Sequence, residues 1–188
     1  MKLRTLVLLS MVVLAALARL LPHPPNFTPV AAMTLFGAAH FRSRWIAFLV
    51  PLMAMFLSDL ALEVTTRLGW LGGWMAQGRG FHDGMWVVYG AVAGIAALGL
   101  ALRRRESVPA IAGCVLGGSV IFFLLTNFAW WAGYDLYPHT LAGLMLSYEA
   151  AIPFFHWTLL GDIFFATVLF GGFALAERRY PALQATAA

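Results

Sequence analysis

Residues 22–29 read PHPPNFTP, and four prolines in eight residues end any helix that reaches them. Each proline lacks an amide donor and pushes the residue before it out of helical geometry. The break lies between two strongly apolar stretches, residues 3–21 and 30–41, and it carries His23, Asn26 and Thr28 between them. In a bilayer, irregular backbone is tolerated at the water interface or where it lines a protected cavity. The turn is therefore expected to form one wall of a binding pocket.

The rest of the chain supports a membrane setting. Of its 188 residues, 62% are hydrophobic and 11% charged, whereas about a quarter of the residues of a soluble domain are charged. The net charge of +4 comes from arginines in short clusters between apolar runs, which is a topology signal and not a nucleic-acid surface. The single cysteine, Cys114, lies inside an apolar run, so neither a disulfide framework nor a CxxC metal site is expected. Residues 1–18 also fit a cleaved signal peptide, with Lys2 and Arg4 ahead of an apolar stretch and the small residues Ala16 and Ala18. The stretch runs on into Leu20 and Leu21, so it is read here as a first span.

Six segments are apolar enough to cross a bilayer, at about 3–21, 29–41, 45–66, 84–102, 108–131 and 153–176. The expected fold is a single all-α transmembrane domain. The second span is short and is expected to start below the membrane surface, leaving a depression beside the proline turn. Lys2 and Arg4, Arg42 and Arg44, Arg103 to Arg105, and Arg178 and Arg179 occupy every second connection, so all can be cytoplasmic at once with both termini inside. This leaves the proline turn and residues 67–83 and 132–152 outside. The two later connections are long and aromatic, with Trp70, Trp74, Phe81 and His82 in one and Tyr134, Tyr137, His139 and Tyr148 in the other. Loops of that length are expected to act as binding lids, although some of the rings would also suit an interfacial belt. The pairs Gly90 with Gly94 and Gly113 with Gly117 have GxxxG spacing and are assigned to helix packing.

Ionisable groups at membrane depth are costly, so each is a functional candidate. Asp59 lies about seven residues, roughly 10 Å, below the outer end of the third span, and Asp162 about nine residues into the sixth. Asn127 and Arg19, near the outer ends of their own spans, reach the same zone. Four polar residues on four helices thus share one level beneath the proline turn, a distribution that suits a blind cup open to the outside better than a continuous channel. The alternative is that Arg19 only neutralises Asp59 or Asp162, and that Asn127 bonds a broken backbone. With loop residues added, the expected substrate-binding set is Arg19, Asn26, Asp59, His82, Asn127, Trp130, Tyr137 and Asp162. His23, His82, His139 and His156 also lie on the outer side, but without an HxH or HxxxH cluster no metal site is expected. Neither GxGD and YD, GxSxG, HExxH nor an aspartate-rich prenyl-transfer motif is present, and no enzyme activity or cofactor is expected.

PHPPNFTPVAAM at 22–33, FLSD at 56–59, GFHDG at 80–84, TNFAWW at 126–131, YP at 137–138 and IPFFHWTLLGD at 152–162 together resemble a group of small bacterial inner-membrane proteins of unknown function, described only as transport proteins. That group is similar, more distantly, to the S components of energy-coupling-factor vitamin transporters. The resemblance implies six helices, both termini inside, and an outward pocket roofed by the three outer connections. It also implies small-nutrient uptake and, as a partner, an ATP-driven energising module. Many S components carry an AxxxA docking pattern in the first span; here Ala15 is followed four residues later by Arg19. A solitary transporter or an unusual partner therefore stays open, as do a non-transport membrane subunit packed on a partner protein and a transition-metal uptake component.

Overall fold

The computed structural model describes residues 3–69 and 80–184, and Trp70 and Trp74 lie outside the described residues. The described chain is all-helical. It comprises α1 (Leu3–Ala18), α2 (Val30–His40), α3 (Arg44–Arg67), α4 (Met85–Gly99, prolonged by a 3-10 turn, Leu100–Arg103), α5 (Val108–Gly133) and α6 (Leu141–Ala166). A π-helical turn, Thr167–Gly171, carries α6 without a break into α7 (Gly172–Arg179), and a 3-10 turn, Pro181–Leu183, follows. Four rods, namely α3, α4 with its 3-10 turn, α5, and α6 continued through α7, are long and apolar enough to cross a membrane. The shorter apolar helices are α1 and α2.

Helix starts follow local chemistry. Ser107 and Thr140 sit in extended geometry just ahead of α5 and α6, and their hydroxyls accept from Ala110 N at 3.4 Å and Gly143 N at 3.2 Å. These bonds satisfy amides that lack intrahelical partners. One difference from the sequence reading is large: α6 begins at Leu141, not at 153. Pro153 lies within it, as Pro51 lies within α3. An internal proline removes one backbone bond, and a long helix packed along a neighbour absorbs that loss. The expected lid at 132–152 therefore shrinks to residues 134–140, and Tyr148 and Glu149 ride on a helix. Trp131 Nε1 closes this short connection by donating to Pro138 O at 2.9 Å.

The bundle is built around α2. Nine of its 11 residues are buried, and Ala32, Met33, Leu35, Phe36 and Ala38 are fully shielded. Helices α1, α3, α4, α5 and α6 all pack against it. A helix apolar on every side belongs inside, and its exposed-end amides and carbonyls must then find partners within the protein. At the C-terminal end, Arg103 supplies them, donating from Nε to Ala38 O at 2.7 Å, from Nη1 to Arg42 O at 3.2 Å and from Nη2 to Phe41 O.

Close crossings occur at particular glycines. A Cβ on Gly99 of α4 would lie 2.8 Å from the Ala38 Cβ, and one on Gly161 of α6 would lie 3.0–3.2 Å from the backbone of Phe27 and Thr28 in the proline turn. The GxxxG pairs play a smaller part than their spacing suggested. Gly90 and Gly113 face open space, and Gly94 and Gly117 meet only the side chains of Ile121 and Leu98.

Two ends can be distinguished. At the arginine end, Arg4 pairs with Glu177, donates to Leu183 O and lies 5.0 Å from the Phe173 ring centroid, tying the first helix to the last. Here too Glu106, in the connection before α5, lies 3.5 Å from His40. Burial pushes the Glu106 carboxyl up from its usual range, Glu177 adds to that push, and Arg4 opposes it. The proline turn marks the opposite end.

Candidate functional site

The turn has a defined geometry. Phe27 N donates to Pro24 O at 3.1 Å, closing a four-residue turn with Pro25 and Asn26 at its centre. Asn26 adopts φ 65°, the left-handed value that a type II turn requires at this position and that asparagine tolerates better than other side chains. Gly161 lets this backbone lie directly on α6.

Beside that contact, the carboxyl of Asp162 is 2% exposed. Ser119 of α5 donates its hydroxyl to Oδ2 at 2.6 Å, and the backbone amide of Ala32 also donates to this carboxyl. Ala32 stands in the first turn of α2, where amides lack intrahelical acceptors, and Pro29 supplies no side-chain cap. Asp162 thus caps α2 from a neighbouring helix, and an acidic group is favourable at a helix N-terminus. With Arg103 at the other end, the buried helix has an acid at its positive pole and a base at its negative one.

Asp59, 3% exposed, is satisfied differently. Arg19 Nη1 lies 2.6 Å from Oδ1, and the Tyr89 hydroxyl donates to Oδ2 at 2.7 Å. Arg19 also donates to Ser58 Oγ at 2.5 Å and, more weakly, to Met55 O at 3.4 Å. Gly80 packs directly on the backbone of Asp59, where any side chain would collide with the Asp59 carbonyl. The arrangement is a closed, neutralised ion pair.

The third feature is a cleft of about 270 Å³ at the proline-turn end, between α4, α5 and α6. Asn26 stands in its wall with Asn127 and Trp130 of α5. Phe122, Phe123, Phe154 and Phe155 supply aromatic surface, and Thr126 and Thr158 supply hydroxyls. Three of the eight expected site residues, Asn26, Asn127 and Trp130, therefore meet in one cavity. Arg19, Asp59 and Asp162 are turned into the two buried polar contacts. His82 is exposed, Tyr137 is half-buried, and neither lines the cleft. Of the turn residues, His23 bonds only the adjacent Pro24 carbonyl, and neither it nor Thr28 reaches the cleft. Among the described residues, no three His, Cys, Asp or Glu side chains group together as metal ligands would.

A larger groove of about 700 Å³ runs between α5 and α6 toward the arginine end, lined mainly by aliphatic side chains such as Ile111, Leu116, Leu159 and Ile163. With its convergent amides and rings, the smaller cleft fits a specific ligand better.

Sequence reasoning missed Tyr89, Ser119, Arg103 and Thr158. Tyr89 and Ser119 each stand as a lone hydroxyl in an apolar run, which is the signal that could have flagged them as partners for buried carboxylates.

These features define a bundle of apolar helices suited to a bilayer, with two buried carboxylates and an aromatic cleft at one end. The chain belongs to a family of unknown function (DUF6580), whose model matches residues 1–183. Among curated proteins and solved structures, none matches it.

Proposed function

We propose that this protein is a bacterial inner-membrane transport component that binds a small, planar nutrient from the outer side and mediates its uptake. The observation that carries the reading is the cleft at the proline-turn end, where an irregular segment, two asparagines and five aromatic rings line one concavity. Irregular backbone at membrane depth is expected where it borders such a cavity. In this reading all six apolar rods cross the bilayer, the arginine end is cytoplasmic by the positive-inside rule, and the cleft opens outward. The resemblance to S components of vitamin transporters agrees with that layout. An energising partner remains part of the proposal, as does the option of acting alone.

The test compares wild-type protein with Thr158→Trp, which fills the cleft, both purified in lipid nanodiscs. Mass spectrometry after delipidation is expected to find a small molecule in the wild type that the variant lacks at an unchanged melting temperature. Identical small-molecule content would favour the competing reading, a membrane subunit that packs on a partner protein. Orientation is checked separately: Asp135→Cys should react with an impermeant maleimide from the periplasmic side, and labelling only from the cytoplasm would reverse the arrangement.

A further inference from the structure

The chemistry of the cleft restricts what can occupy it. None of its eleven lining residues carries a charge, and the two buried carboxylates are already committed, Asp59 to Arg19 and Asp162 to Ser119 and Ala32. An ion entering a half-enclosed apolar site without a counter-charge loses hydration that nothing replaces. The attraction of partly exposed rings for a cation is small beside that loss.

The polar groups have a further bias. Thr126 donates its hydroxyl to Phe122 O at 2.7 Å, Asn127 donates Nδ2 to Phe123 O at 2.8 Å, and Thr158 donates to Phe154 O at 3.5 Å. Each has directed one donor to a carbonyl on its own helix, four residues back, which spends both hydroxyl protons and one of the two Asn127 N–H groups. What they have left to offer a ligand is mostly oxygen, the Asn127 Oδ1 and the lone pairs of two hydroxyls, beside the second N–H of the Asn127 amide. The remaining donors, Trp130 Nε1 and the Asn26 amide, stand nearer the mouth and have no partner among the described residues. Free acceptors outnumber free donors on the deeper, half-buried wall, so a bound molecule gains most by bringing N–H or O–H groups to it.

We infer that the cleft takes an uncharged, planar molecule with N–H or O–H donors on its inner edge, and that it rejects carboxylates, phosphates and permanent cations. This inference rests on the proposed function, since it names the chemical class of the ligand that function requires.

Four single-ring probes separate the possibilities: benzamide, N,N-dimethylbenzamide, benzoate and benzyltrimethylammonium. Each is measured by saturation-transfer NMR against the full chain in nanodiscs, with Thr158→Trp and Ala151→Trp as blocked controls that remove bilayer background. Benzamide is expected to give a signal in the wild type that both blocked variants lose. N,N-dimethylbenzamide, without N–H groups, should bind roughly fivefold more weakly, the worth of one ordinary hydrogen bond. Benzoate and benzyltrimethylammonium should match their blocked controls. In Asn127→Leu, the preference for benzamide over its dimethyl analogue should disappear while ring binding persists. If benzoate or benzyltrimethylammonium gives the strongest cleft-dependent signal, the inference is wrong and the binding reading stands. If no probe distinguishes the wild type from either blocked variant, the cleft is not a small-molecule site and both fail.

Discussion

Asp59 and Asp162 are buried to almost the same degree, at 3% and 2% exposure, yet they are stabilised by different means. Asp59 faces a full cation, Arg19, and a phenol. Asp162 faces a hydroxyl and a backbone amide at the start of α2. The first solution neutralises charge with charge, which also desolvates a second ion. The second uses peptide dipoles that the short buried helix leaves unsatisfied. One carboxylate therefore serves a local pair, whereas the other serves a helix.

The largest expected effect tests the charged pair. Arg19→Gln or Asp59→Asn should each cost about 3–5 kcal/mol, because a buried ion is left alone. Arg19→Met combined with Asp59→Leu should recover most of that in detergent unfolding. Asp162→Asn is expected to cost about 2 kcal/mol, since the amide keeps one acceptor and strands no counter-ion. A loss as large as that of Asp59→Asn would mean that Asp162 also serves a cation, and the contrast would collapse. Gly161→Ala should cost about 1 kcal/mol, as crowding against the proline turn outweighs a gain in helix propensity. Gly90→Ala, facing open space, should instead stabilise by about 0.5 kcal/mol. If those two alanines behave alike, the turn does not bear on α6.

The contrast also shows what the sequence could convey. Apolar runs and arginine clusters marked the helices, because a bilayer leaves few other ways to satisfy a backbone. The start of α6 was misplaced by Pro153, which breaks isolated helices but not packed ones. Depth was counted along each span and put Arg19, Asp59, Asn127 and Asp162 at one level, but the count for Asp162 started from 153, whereas α6 begins at Leu141 and places it 21 residues into the helix. Rotation was not legible. Whether a side chain on that level points into a cleft, toward a neighbouring helix end or at a counter-ion depends on how each rod turns about its axis. The uniformly apolar surface of these helices carries no polar stripe to reveal it. Asn127 turned toward the cavity and Asp162 toward α2 although both stand on long apolar helices.

The two clamps on α2 impose an order on biogenesis. During synthesis α2 emerges early, but Arg103 and Asp162, which satisfy its ends, are made some 60 and 120 residues later. An 11-residue segment with open poles is too short to settle alone in a bilayer. In the proposed membrane setting it is expected to wait at the interface or beside the insertion machinery until α4 and then α6 arrive. A chain halted after α5 should leave α2 open to protease, and release of α6 should protect it, making completion of the last helix the step at which the middle of the molecule closes.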